Sequence, residues 1–145
     1  MAPIPNATVL AFDFGTHRIG VAVGNSLVRV AQPLVTIASD PASTMAMIGA
    51  LVVEWQPARL VVGLPLHADG TPHRMTEKAK RFASDLHSRF ALPVSLVDER
   101  WTTQVAQDRL NAQRRGRAGR SERDALAAQQ ILQAYFDERR DATDP

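Results

Sequence analysis

Three acidic residues of this sequence stand at positions where carboxylates could hold a metal ion: Asp13, Glu99 and Asp124. Asp13 ends a short apolar run, Glu99 follows another, and Asp124 precedes an alanine-rich stretch typical of a closely packed helix. Functional groups of open α/β sheets gather beyond the carboxyl ends of the strands, so we expect these acids at one sheet edge. Oxygen ligands in a chain without cysteine suit Mg²⁺ or Mn²⁺. Such ions can activate water for phosphodiester hydrolysis.

Each acid taken alone also has a simpler explanation. Asp13 could accept N–H bonds from the turn that follows it, and Asp124 could be a first-turn acid that the helix dipole favours. Successive side chains of a strand point to opposite faces, so only one of Asp98 and Glu99 can share a face with Asp13. The other should pair locally, for example with Arg100. If all three acids do meet, their charges repel and raise one another's pKa values, and the site should be poorly formed without metal.

The elements that must position these acids follow from hydrophobic periodicity and capping signals. Strands first and alternating elements afterwards imply a mixed sheet with helices packed on it, with the first strand at its centre. Pro33 indicates an edge strand or a bulge. The predicted order is three strands (8–13, 19–24 and one within 28–37), a helix from Asp40 or Ser43 to about 55, a strand (60–64), a helix (75–90), a strand (93–97), a helix from Thr102 or Thr103 to 113, and a last helix capped by Ser121 and ending at 135–138.

Composition limits the class of protein. The 145 residues, 45% hydrophobic and 22% charged, suit one globular domain spanning 1–145, with an ordered core over about 7–138. We expect no membrane association, because no apolar run approaches the roughly 20 residues of a membrane helix. Neither a signal peptide nor a disulfide framework is indicated, so we expect a cytoplasmic protein. The sequence leaves open whether it is a monomer or a homodimer.

Arginine accounts for all but two of the 17 basic residues. Its planar guanidinium meets phosphate oxygens in pairs, although codon usage explains such a bias equally well. The densest cluster is interrupted by glycines, which indicates a basic loop that either contacts phosphates or is simply solvated. The polar loop containing His67, Asp69 and His73 is more typical of exposed side chains than of a metal site. The candidate nucleic-acid contacts are Thr16, His17, Arg18, His67, Arg74, Arg100, Arg114, Arg115, Arg117 and Arg120.

Four motifs follow one another between Leu10 and Phe136. They are Ala11–Val23, Val61–Leu66 with Asp69–Thr71, Asp98–Arg100 with Thr102 and Thr103, and Asp124–Ala128 with Ile131 and Leu132. Together they resemble the YqgF family of pre-16S rRNA nucleases, also described as Holliday-junction-resolvase-like proteins, and four motifs in order at compatible spacing are highly specific.

This resemblance implies an α/β protein of the RNase H-like fold, with a mixed five-stranded sheet of three antiparallel strands and parallel additions. It implies cytoplasmic processing of the 5′ end of pre-16S rRNA, with Asp13, Glu99 and Asp124 as catalytic acids and as ligands of Mg²⁺ or Mn²⁺. Structured RNA, branched DNA and the pre-ribosomal particle are the expected partners.

Two other functions stay open at this stage: a non-catalytic RNA-binding factor for ribosome assembly and a DNA resolvase of the Holliday-junction type. Asp13–Thr16 also resembles the first phosphate loop of the actin and sugar-kinase class. That class needs a second lobe and a second glycine-rich loop, which 145 residues do not accommodate.

Overall fold

The computed structural model describes residues 7–102 and 120–138. Their elements follow the predicted order, and most bounds differ from the prediction by one residue. The predicted helix from Thr102 or Thr103 to 113 falls almost wholly outside the described residues. The elements are β1 (Thr8–Phe14), β2 (Arg18–Asn25), β3 (Val30–Ala38), α1 (Thr44–Trp55), β4 (Arg59–Leu64), α2 (Thr76–Phe90), β5 (Val94–Asp98), a 3₁₀ turn (Glu99–Thr102) and α3 (Arg120–Glu138).

The five strands form one mixed sheet in the order β3-β2-β1-β4-β5. β1 pairs antiparallel with β2 across a short connection, and β2 pairs antiparallel with β3. On the other side β1 pairs parallel with β4, which pairs parallel with β5. β1 is therefore central, and the predicted mixed sheet of three antiparallel strands with parallel additions is confirmed.

β3 is an edge strand and contains the irregularity that Pro33 indicated. Val21 of β2 pairs with Val35, and the next residue, Ala22, pairs with Pro33. Leu34 is therefore an extra residue on β3, as in a β-bulge. A proline has no N–H to give to a ladder, so an edge strand with a bulge accommodates it.

Each face of the sheet is covered by a separate core, and alternate residues of β1 belong to different cores. Leu10 and Phe12 pack in the cluster that contains buried residues of α1 and α2. Val9 and Ala11 pack in the cluster beneath α3. Because strand side chains alternate, Asp13 is the next β1 residue on the face that α3 covers.

α3 begins at Arg120, so the prediction that Ser121 caps it from outside was wrong. Asp124 consequently lies beyond the first turn of the helix, where the dipole has little effect. Its position is explained instead by packing, because Ala125 and Ala128 are buried against the sheet. Within residues 7–102 and 120–138, no helix has the length and apolar character required to cross a bilayer.

Candidate active site

A glycine opposite Asp13 brings the last helix onto the same part of the sheet. In the β1–β2 ladder Asp13 pairs with Gly20. A Cβ at Gly20 would lie only 1.9 Å from the backbone oxygen of Asp124, so the α3 backbone occupies the space that any side chain would need. This close approach places the start of α3, and with it Asp124, beside the end of β1.

A second glycine makes room for Glu99. Gly63 of β4 pairs with Val97 of β5, two residues before Glu99. A Cβ at Gly63 would lie 3.1 Å from both Cγ and Cδ of Glu99 and 2.5 Å from a methyl group of Ile131. The side chain of Glu99 therefore lies over β4 on the face that α3 covers, which is the face of Asp13.

Asp98 and Arg100 fix the turn in which Glu99 stands. The Arg100 backbone N–H donates to Asp98 Oδ1 over 2.9 Å, and its Nη2 donates to Oδ2 over 2.6 Å. Hydrogen bonds from Arg100 lower the pKa of Asp98. The prediction that one acid of this pair turns to Asp13 while the other pairs with Arg100 is thus confirmed.

Asp13 and Glu99 are hydrogen-bonded to each other, and the pKa of each is raised. Burial raises the pKa of Asp13 well above its ordinary value of 3.8, and the charge of Glu99, the hydrogen bond to it and the charge of Asp124 raise it further. Burial also raises the pKa of Glu99, whereas the hydrogen bond from Asp13 lowers it. Both effects are expected of a protonated Asp13 that donates to a Glu99 carboxylate, because two carboxylates in contact cannot easily both be charged.

Asp124 has a different partner. Its Oδ2 accepts a hydrogen bond from Arg18 Nε over 2.5 Å, and the two side chains are 26% and 41% exposed. Across residues 7–102 and 120–138, no three His, Asp or Glu side chains form a ready-made metal site. Asp13 and Glu99 interact with each other, and Asp124 is paired with the guanidinium of Arg18.

The donors nevertheless fit a hard divalent cation. The three acids provide only oxygen ligands, which Mg²⁺ and Mn²⁺ prefer. Asp13 and Glu99 contact each other, and Asp124 is paired with Arg18. The charge of a divalent ion would offset the burial and the neighbouring acids that raise the pKa of Asp13, and it could take the place of Arg18 on Asp124.

The loop after β4 is anchored beside this site. Leu66 bridges to Pro72, His67 N–H donates to the Thr71 carbonyl, and Thr71 donates to Asp69 Oδ1. Arg100 lies over Gly70 of this loop, where a Cβ would be 3.0 Å from its Nη1.

The remaining predicted contacts are mostly exposed. The His67 and His73 rings stand 5.1 Å apart, yet no metal cluster includes them in the part of the chain that the structure describes. Thr16 Oγ1 contacts the Met75 sulfur at 3.7 Å. Arg114, Arg115 and Arg117 lie outside the described residues, and of Arg120 only the backbone, at the start of α3, is described. The side chains of His17 and Arg74 are exposed to solvent.

Two glycines of this arrangement, Gly20 and Gly63, were given no role from the sequence, although a glycine inside a strand often marks a close backbone approach. That rule does not say which element approaches. Asp98 was considered as a possible local partner of Arg100, but not as the residue that orients Glu99.

Comparisons with known sequences match this chain to proteins described as resolvases or nucleases. The family model described as "RuvX: Holliday junction resolvase" matches residues 7–138. A protein of Burkholderia vietnamiensis with the provisional name pre-16S rRNA nuclease is 52% identical over 135 residues, covering 92% of this chain and 91% of that protein. A Burkholderia lata protein with the same provisional name is 51% identical over 135 residues, with the same coverage of both chains.

A solved structure matches at the level of fold. The structure of T. thermophilus RuvC in complex with Holliday junction substrate superposes with a TM-score of 0.62 at 16% identity, covering 96% of this chain and 99% of that one. At this identity the likeness bears on the fold alone, and it confirms the predicted RNase H-like architecture.

Proposed function

The chain belongs to the RuvX family of Holliday junction resolvases, and on that premise we propose that it is a metal-dependent nuclease whose substrate is the 5′ end of pre-16S rRNA. The observation that carries this proposal is geometric: the backbone of Asp124 rests on Gly20, the ladder partner of Asp13, and the side chain of Glu99 lies over Gly63. The names of the Burkholderia relatives support RNA as the substrate. Processing of ribosomal RNA would place the enzyme in the cytoplasm.

We assign the three acids to holding Mg²⁺ or Mn²⁺. When bound, such ions would lower the pKa of an attacking water and neutralise charge on the phosphodiester. Asp13, at the centre of the sheet, would release its proton and orient the site, because the strands on either side of β1 hold its backbone. Glu99 would complete the pair from the turn that Asp98 and Arg100 fix.

Basic side chains around the acids would hold the substrate backbone. Arg100 presents Nη1 beside Gly70, and Arg18 stands at the first residue of β2. Arginine at such positions can bind a phosphate through two parallel hydrogen bonds. We propose that these side chains, with the exposed His17, His67 and Arg74, bind the phosphates on either side of the scissile bond.

Replacing Asp13 with Asn tests the proposal. The wild-type protein, D13N and the control D85N, which changes an exposed acid of α2, would be assayed with Mg²⁺ and with Mn²⁺. The substrates are an RNA carrying the 5′ leader of 16S rRNA and a four-way DNA junction. We expect the wild type and D85N to cut the RNA. D13N should lose on the order of 10²-fold or more in rate while still binding it.

The other outcomes distinguish the remaining functions. Cleavage of the DNA junction alone would indicate a resolvase, which the description of the family model supports. RNA binding by the wild type without cleavage in either metal would indicate a non-catalytic assembly factor. Equal cleavage by D13N and the wild type would remove Asp13 from the site.

A further inference from the structure

Arg18 is paired with the carboxylate of Asp124, which the proposed metal site needs as a ligand. Its Nε donates to Asp124 Oδ2 over 2.5 Å, while Asp13 and Glu99 interact with each other. A guanidinium and a divalent cation compete for the same oxygen lone pairs. In the free protein the third acid, Asp124, is therefore paired with the positive side chain of Arg18.

The position of Arg18 suits an exchange of partners. It is the first residue of β2, next to the turn that follows Asp13, and two residues before the glycine against which the Asp124 backbone rests. Its side chain is 41% exposed, so it lies at the rim of the acid cluster rather than beneath it. A phosphate approaching the cluster from solvent would meet this side chain.

The contact itself is weak enough to exchange. Ion pairs between partly exposed side chains contribute little, because water competes for both partners. The Arg18 bond uses Nε, and a guanidinium carries four further N–H donors that can turn to another acceptor. Because phosphate oxygens accept paired bonds from arginine, a substrate phosphate is a suitable second partner.

We propose that Arg18 is a positioning residue that exchanges Asp124 for a substrate phosphate as the metal binds. The proposal rests on the proposed nuclease function and adds to it a coupling between the two ligands. In the free protein the metal must displace Arg18, so Arg18 weakens metal binding. A substrate phosphate that draws Arg18 away frees Asp124, so each ligand strengthens the binding of the other.

The test measures Mn²⁺ binding to the free protein, where no catalysis takes place. Unbound Mn²⁺ would be followed by electron paramagnetic resonance during titration of the wild type, R18A and the control R89A, which removes an exposed arginine of α2. We expect R18A to bind Mn²⁺ about fivefold more tightly than the wild type, the factor that corresponds to a weak ion pair. R89A should match the wild type.

A second readout separates exchange from a merely structural role. In cleavage assays we expect R18A to show a higher KM for the nucleic acid, because the phosphate contact is lost although the metal binds better. If Arg18 only held Asp124 in place, R18A would instead weaken both nucleic-acid binding and metal binding, because a misplaced Asp124 is a poorer metal ligand. If R18A does not fold, R18K is used instead. Lysine has no planar fork and holds Asp124 less well, so the R18K protein should also bind Mn²⁺ more tightly than the wild type.

Each outcome decides between the proposals. Tighter Mn²⁺ binding by R18A or R18K supports the exchange. Unchanged or weaker binding, with a wild type that binds Mn²⁺, overturns the exchange and leaves the nuclease proposal in place. A wild type that binds no Mn²⁺ overturns both.

Discussion

The side chains of Asp13 and Glu99, from distant parts of the chain, are hydrogen-bonded to each other, and burial together with this contact raises the pKa of Asp13. Between the ordinary and the raised pKa this arrangement costs stability, because the folded chain retains a proton that the unfolded chain releases. It also means that the proton and a divalent cation compete for the same oxygens.

A pH dependence of stability follows from the raised pKa of Asp13. Between the ordinary pKa of 3.8 and the raised value, the folded chain binds more protons than the unfolded chain. The contribution of this group to stability is therefore full below about pH 4 and falls as pH rises through the raised pKa. We expect metal-free D13N to lose less stability than the wild type between about pH 4 and 7.

Thermal unfolding of both proteins in a chelator, at several pH values, measures this difference. The other titrating groups are common to the two proteins, so the difference in free energy of unfolding reports on Asp13 and on Glu99, whose pKa depends on it. A constant difference across the pH range would contradict the raised pKa of Asp13.

Divalent ions should stabilise the protein through the same acids. A ligand that binds only the folded state contributes about 2.7 kcal/mol when present at a hundred times its dissociation constant. We expect Mg²⁺ or Mn²⁺ to raise the Tm of the wild type and of D85N, and a chelator to reverse the rise. The increase should be absent or much smaller in D13N, and an equal increase in all three proteins would place the metal elsewhere.

Substitution of Gly20 should strongly destabilise the folded protein. In G20A the new methyl group would collide with the backbone of α3 at Asp124, which cannot move without undocking the helix. We expect a loss of more than about 2 kcal/mol in stability, together with loss of cleavage.

Gly49 in α1 offers the matched control. A Cβ there meets the Phe90 ring at an ordinary 3.5 Å, so G49A should change stability by no more than about 1 kcal/mol and in the favourable direction. Urea unfolding of both variants compares the two sites. A G20A protein as stable as the wild type would show that α3 does not lie on β2 as described.

Asp98 should matter although it faces away from the acid cluster. Without its carboxylate, the bonds to the Arg100 side chain and backbone are lost, and Glu99 is no longer held in its turn. We expect D98A to reduce cleavage about 10- to 100-fold, as is typical of residues that orient a metal ligand. Rate measurements beside D85N provide the comparison, and unimpaired D98A would assign the orientation of Glu99 to other contacts.

Much of the fold could be predicted because its signals are local. The alternation in β1, the continuous apolar run of β4 and the proline of β3 each reflect how a single strand meets its neighbours. The start of α3 was misplaced by two residues, because Ser121 satisfies a capping pattern that the helix does not use. The comparisons confirm the family and the nuclease class that four motifs indicated.

The site was predictable in its acids but not in its contacts. Carboxylates at strand ends stand out in the sequence, because apolar runs lead up to them. The bond between Arg18 and Asp124 joins residues 106 positions apart, and nothing in either local sequence marks the other as a partner. Likewise, the glycines at 20 and 63 show where something approaches, whereas only the folded sheet shows what it is.

The docking of α3 on Gly20 also makes the proposed site depend on a late packing step of folding. Asp13 lies in β1 and Asp124 in α3, so an intermediate that has formed the sheet without docking α3 holds only two of the three acids. The proposed activity should therefore appear together with the docking of α3 and not with the formation of the sheet.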